Sequence, residues 1–87
     1  MQSGAVVIDV RTADEFAKEH IDGAIHIPYD QIVAKIGSVA VDKNQPIVVY
    51  CLSGGRSAAA KQALMQAGYV QVINGGGLAD MKKQLKP

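Results

Sequence analysis

The 87-residue sequence has one cysteine, no tryptophan and a single phenylalanine. One cysteine excludes an intramolecular disulfide and any metal site built from several cysteines, and it leaves the redox compartment open. Charge of either sign is also scarce in excess: nine Lys plus Arg stand against eight Asp plus Glu, a formal net charge of +1. So small a surplus cannot supply the counterion release on which nucleic-acid binding relies, so neither nucleic acid nor an anionic membrane surface is expected as a partner. The longest uninterrupted apolar run, 47–52, has six residues, whereas a bilayer-spanning helix needs about 20. No basic, apolar and small-residue succession opens the chain, so no signal peptide is expected in it; a mature exported protein would read the same way.

What is present is ordinary for a folded domain. Hydrophobic residues make up 48% and charged residues 20%, close to globular averages and unlike disordered chains. The length is about half of the usual ~150-residue prior, which predicts one domain over 1–87 with one core.

Residues 5–10, Ala-Val-Val-Ile-Asp-Val, form a short β-branched run suited to a strand buried on both faces. Thr12 with Glu15 three residues later matches a capping box opening a short helix that ends before Gly23. Residues 24–27 give a brief strand stopped by Pro28, and 29–36 regain helical spacing through Ile32, Val33 and Ile36. Residues 47–50 carry the strongest strand signal, and that strand runs directly into Cys51. A glycine-rich loop over 52–55 leads to a predicted helix over 57–67 with Gly68 as its C-cap. Residues 70–73 predict a strand, 74–77 a tight glycine turn and 78–85 a last helix. Strict β-α alternation of this kind predicts an α/β fold with a parallel sheet covered by helices on both faces and sites at the carboxyl ends of its strands.

The segment richest in chemistry is Cys51-Leu52-Ser53-Gly54-Gly55-Arg56-Ser57. A lone cysteine is more often a small buried hydrophobe than a nucleophile. Here, however, it ends a buried strand and precedes a helix, so loop N–H groups and the orphan donors of the helix start converge on the sulfur and favour its anion. Such surroundings take a thiol from a pKa of ~8.5 to ~3.5–7.5, and the thiolate is the nucleophile. Gly54 and Gly55 let the backbone turn its N–H groups inward. Arg56 adds a permanent charge with forked donors suited to an anionic sulfur or oxygen group. Asp9 and Arg11 flank a strand end where a buried carboxylate and guanidinium must be paired, so both read as structural support. Glu15 reads either as the partner of Arg11 or as a solvated side chain. His20 and His26 stand six residues apart, which fits neither a helical zinc pair nor a Cys-His cluster; a surface or packing role is expected and no metal is.

With these residues in view, the chain resembles the rhodanese family along nearly its whole length. The resemblance rests on Asp9-Val10-Arg11 after an apolar strand, Glu15-Phe16, the stretch from His20 to Pro28 of the form His-Ile-x-Gly-Ala-x-x-Ile-Pro, and the loop Cys-x-x-Gly-x-Arg-Ser from Cys51 to Ser57. It is nearest to the small single-domain members of the bacterial phage-shock, periplasmic type, which share the Asp42-Lys43-Asn44 turn. The resemblance implies a three-layer fold with a central parallel sheet of four or five strands. It also implies transfer of a sulfane sulfur, from a small anionic donor such as thiosulfate to a thiophilic acceptor such as cyanide or a thiol, through a persulfide on Cys51. Positions Leu52, Ser53, Gly54, Gly55, Arg56 and Ser57 would hold the persulfide and the donor, with no metal or organic cofactor, in a monomer. A periplasmic location is implied by resemblance alone, with the cytoplasm as the alternative. Two departures are the absent tryptophan, with Met81 near the place of an aromatic in relatives, and the absence of the further strand that many relatives carry before Asp9-Val10-Arg11.

Two other functions fit a cysteine in an anion-binding loop. Tyrosine-type phosphatases, with arsenate reductases grouped beside them, place arginine six residues after cysteine, whereas Arg56 is five after Cys51; the shorter loop suits one sulfur atom better than a phosphoryl group. A non-enzymatic persulfide carrier for a protein partner would show no turnover with thiosulfate.

Overall fold

The computed structural model describes residues 5–51 and 55–84. Strands β1 (Val6–Asp9), β2 (Ile25–His26), β3 (Ile47–Cys51) and β4 (Val72–Gly77) form one sheet in the order β2-β1-β3-β4, with every adjacent pair parallel. Helices α1 (Ala13–Lys18), α2 (Ile32–Lys35), α3 (Gly55–Gln66) and α4 (Leu78–Gln84) alternate with them. The expected alternation and the parallel sheet are both present, with four strands among the described residues. None of the helices there is long and apolar enough to cross a membrane.

Residue parity in β3 divides the core. Ile47, Val49 and Cys51 face Ile32, Ile36, Ala60 and Leu64 from α2, α3 and the turn after α2. Val48 and Tyr50 face Ile21 and, from α4, Leu78 and Met81. All five β3 residues are buried, as a parallel strand covered on both faces requires. Met81, at 1% exposure, fills space beneath the sheet with its flexible thioether.

Three boundaries differ from the sequence expectation. The helix expected over 29–36 is a single α-turn between the 3₁₀ turns Tyr29–Gln31 and Ile36–Ser38. Adjacent β-branched Ile32 and Val33, with only Ile32 of that turn buried, give little reason to extend it. Helix α3 begins at Gly55, so Arg56 and Ser57 lie in its first turn. The third difference is the glycine run: residues 74–77 are no turn but the last four residues of β4. Val49 pairs with Asn74 and Cys51 with Gly77, so β4 spends one residue more than β3 over this stretch, which is a bulge. Gly76 absorbs it at φ +87°, and Gly75 lies where a Cβ would stand 2.4 Å from the Met81 sulfur. The Gly77 N–H then donates to Asp80 Oδ2 at 3.0 Å, which starts α4.

A Cβ at Gly76 would meet Asp80 Oδ2 at 2.8 Å and would have to adopt a left-handed backbone. Gly76→Ala is therefore expected to destabilise by about 1–2 kcal/mol, read from the urea midpoint. An unchanged midpoint would mean that the bulge can move elsewhere in β4.

After β1 the chain winds outward to β2, then crosses to β3 on the opposite side of β1. That reversal places the carboxyl ends of β1 and β3 side by side, with Arg11 just after one and Cys51 closing the other.

Candidate active site

Cys51 is the last residue of β3 and is 1% exposed, with its side chain on the α3 face of the sheet. The first turn of α3 starts four residues later at Gly55. Ser57 in that turn is fully buried, and its Oγ lies 3.6 Å from Cys51 Sγ. The first turn of α3 holds no acidic residue and instead carries Arg56. Helix N-termini favour negative charge, and a cation in the same turn adds to the attraction for an anion. Of the other loop positions named from the sequence, Leu52, Ser53 and Gly54 lie outside the described residues. An open cleft of about 480 Å³ adjoins the strand ends, with Val10, Arg11, Thr12, Pro28, Tyr29 and Arg56 in its walls.

Asp9 and Arg11 form the buried pair expected of them. Asp9 Oδ1 accepts from the backbone N–H of Arg11 at 2.9 Å and from its Nε at 3.0 Å, while Oδ2 accepts from Nη2 at 2.7 Å. Their side chains are 0% and 4% exposed. The hydrogen bond to Asp9 raises the Arg11 pKa against the opposing effect of burial. Arg11 Nη2 also donates to the Glu19 carbonyl at the end of α1, and the guanidinium lies over the Tyr50 ring, 5.8 Å from its centroid. The Tyr50 hydroxyl accepts from the Ile21 N–H at 3.0 Å. Burial, reinforced by the Asp9 carboxylate, pushes this phenol up to about 12.

The partner expected for Glu15 is corrected by the geometry. Arg11 is turned to Asp9 and the Glu19 carbonyl, and Glu15 instead receives Arg56: Nη1 donates to Oε1 at 2.9 Å, with side chains 42% and 26% exposed. The reason is reach. The capping box turns the Glu15 carboxylate back toward Thr12, whose N–H donates to Oε1 at 3.1 Å, and so toward the start of α3, whereas Arg11 folds inward under β1. The bond from the Thr12 N–H, followed by that from Arg56, lowers the Glu15 pKa to about 2, so the carboxylate is ionised at neutral pH.

Residues 1–83 match the model of the rhodanese-like domain. The chain belongs to the rhodanese family. It is 42% identical to the thiosulfate sulfurtransferase PspE of Escherichia coli over 74 residues, covering 85% of this chain and 71% of that protein. It is 37% identical to a sulfurtransferase of Allochromatium vinosum over 69 residues, covering 79% of this chain and 63% of that one. Among solved structures, a rhodanese with anions from E. coli superposes with a TM-score of 0.85 at 41% identity, covering 87% of this chain and 89% of the other. The resemblance read from the Asp9-Val10-Arg11 and Cys51 motifs thus holds, as does the fold it implied.

Two parts of this rhodanese site were not visible from its motifs. Asn74 belongs to the glycine run, yet its Oδ1 accepts from the Gly76 N–H at 2.9 Å and from Ser57 Oγ at 2.6 Å. The β4 bulge thereby reaches the hydroxyl beside Cys51; an asparagine before three glycines is a weak signal for this, since the same letters spell a turn. Tyr50 looked like any strand residue, and only strand parity turns it toward Arg11 and away from Cys51. His20 and His26 take packing roles. Phe16 stacks on His20 at 3.8 Å and on His26 at 4.9 Å, the His20 Nδ1–H donates to the Phe16 carbonyl at 2.7 Å, and the His26 Nε2–H donates to the Arg11 carbonyl at 2.8 Å. Among the described residues no cluster of three or more His, Cys, Asp or Glu is arranged for a metal ion.

Proposed function

We propose that this chain is a thiosulfate:cyanide sulfurtransferase working through a persulfide on Cys51, as a single rhodanese domain over 1–87. The Cys51 thiolate attacks the sulfane sulfur of thiosulfate; the S–S bond of the donor breaks and sulfite leaves with the electron pair. Cyanide, or a thiol, then attacks the outer sulfur of the persulfide, leaves as thiocyanate or a new persulfide, and returns Cys51 as a thiolate. The observation that carries this reading is the position of the only cysteine, at the carboxyl end of β3 against the first turn of α3, with Arg56 replacing the acidic residues usual there. The likeness to a thiosulfate sulfurtransferase supports thiosulfate as the donor.

In this proposal the backbone from Leu52 to Ser57 cradles the persulfide, Arg56 binds the anionic end of the donor, and Asp9, Arg11 and Glu15 hold the surroundings. No metal or organic cofactor takes part, and the protein acts as a monomer on small molecules. The phage-shock resemblance extends the proposal to a periplasmic setting.

Intact-mass spectrometry tests it directly. Thiosulfate should add the mass of one sulfur atom, and cyanide should remove it as thiocyanate over many cycles. No added sulfur overturns the persulfide; sulfur added once without turnover replaces the enzyme by a carrier.

Arg56→Ala is expected to raise KM for thiosulfate on the order of tenfold or more by removing a charge-assisted bond to the donor. Lysine at this position should restore part of that loss, because it keeps the charge without the fork. Unchanged thiosulfate kinetics in the alanine variant would show that the guanidinium does not touch the donor.

A further inference from the structure

Arg56 is not simply presented to the cleft. Three donors converge on Glu15 Oε1: the Thr12 N–H at 3.1 Å, the Thr12 hydroxyl at 3.0 Å and Arg56 Nη1 at 2.9 Å. The first is one half of the capping box that opens α1, the second comes from the same capping residue, and together they fix the carboxylate whether or not Arg56 is there. The third joins residues 41 apart in sequence, across the wall of the cleft that Thr12 and Arg56 share. Glu15 is thus an anchored counter-charge, while Arg56, with 42% of its side chain exposed, is the partner able to move. Exposed ion pairs of this kind are weak enough to exchange. The other arginine of the cleft, Arg11, is committed to Asp9 and has no comparable freedom.

We infer that Glu15 is a positioning residue that sets donor affinity: it holds the Arg56 guanidinium on an anchored carboxylate, and an anionic donor must draw it off to bind. The inference rests on the reading of Arg56 as the donor-binding group. Glu15 lies outside the Cys51 loop, in a helix cap whose capping role alone would explain its presence. The cap accounts for two of its three hydrogen bonds; the third has no part in starting α1.

Glu15→Gln separates the two roles. Glutamine keeps an oxygen that accepts from Thr12, so the cap and the fold persist, but it removes the charge that retains Arg56. Thiosulfate KM is expected to fall about two- to fivefold, the range set by the strength of an exposed pair, with kcat unchanged. In the background of Arg56→Ala, the same Glu15→Gln change should leave KM where it was, because there is no guanidinium left to release. Steady-state kinetics of the four proteins, with thermal midpoints as a check on folding, read all of this. A KM that is unchanged or raised in the single Glu15→Gln variant overturns the inference. An equal fall in both backgrounds also overturns it, since that would be repulsion of the donor by the carboxylate and not retention of Arg56. If Arg56→Ala itself leaves KM unchanged, the donor-binding reading of Arg56 fails first and the inference with it. If that variant raises KM but Glu15→Gln does not lower it, only the inference fails.

Discussion

Cys51→Ser is expected to abolish both formation of a sulfur adduct from thiosulfate and transfer of that sulfur to cyanide as thiocyanate, down to the uncatalysed background. The chain has no second cysteine to substitute for it, and an alcohol neither ionises under conditions that ionise a thiol nor forms a stable sulfur-sulfur bond. The variant should still fold. Serine is close to cysteine in size, and although position 51 is 1% exposed, the Ser57 hydroxyl nearby offers the new oxygen a polar neighbour. The far-UV spectrum and the denaturation midpoint would therefore shift little beside a complete loss of turnover. Thiocyanate made by the serine variant at the wild-type rate would remove Cys51 from the reaction. The same experiment reports on the state of the thiol: in the parent protein, alkylation by iodoacetamide followed against pH should rise through a midpoint below that of a free cysteine peptide, and the adduct should be absent in the variant.

The second large effect is on stability. Asp9→Ala would leave the Arg11 guanidinium, 4% exposed, without the carboxylate that accepts from its Nε and Nη2. Breaking a buried pair on one side costs about 3–5 kcal/mol, a large part of the ~5–15 kcal/mol that holds a domain together. Arg11→Met should cost a similar amount by stranding the fully buried Asp9, and it also removes the donor to the Glu19 carbonyl that closes α1. Removing both charges together should hurt less than removing either, because no unpaired ion is left behind. Urea denaturation of the three variants decides the matter: losses below about 1 kcal/mol in both single variants would show that water reaches the pair and that it does not brace the end of β1.

Some of this architecture was legible because it depends on neighbours in the chain. The β-branched runs that became β1 and β3, the Thr12–Glu15 capping box and the alternation of strands with helices are local facts, and each is present in the fold. The same holds for the pairing of Asp9 with Arg11, which needs only two residues and a strand end. The glycine run departs from its local reading for a related reason. Asn74 followed by three glycines satisfies every local rule for a turn. What makes it a bulged strand is β3 alongside it and Met81 packed so close to Gly75 that a side chain there would collide.

The class of the fold and the family are legible in the chain alone, because hydrophobic periodicity and short motifs are written in consecutive residues and survive without knowledge of any contact. Who pairs with whom at the site is a property of the folded chain. Glu15 and Arg56 are 41 positions apart, and Ser57 and Asn74 are 17 apart. Those contacts exist because parallel strands wound in opposite directions from β1 bring the start of α1, the start of α3 and the bulge of β4 to one end of the sheet, and a charge or a hydroxyl takes the partner that this arrangement sets within reach.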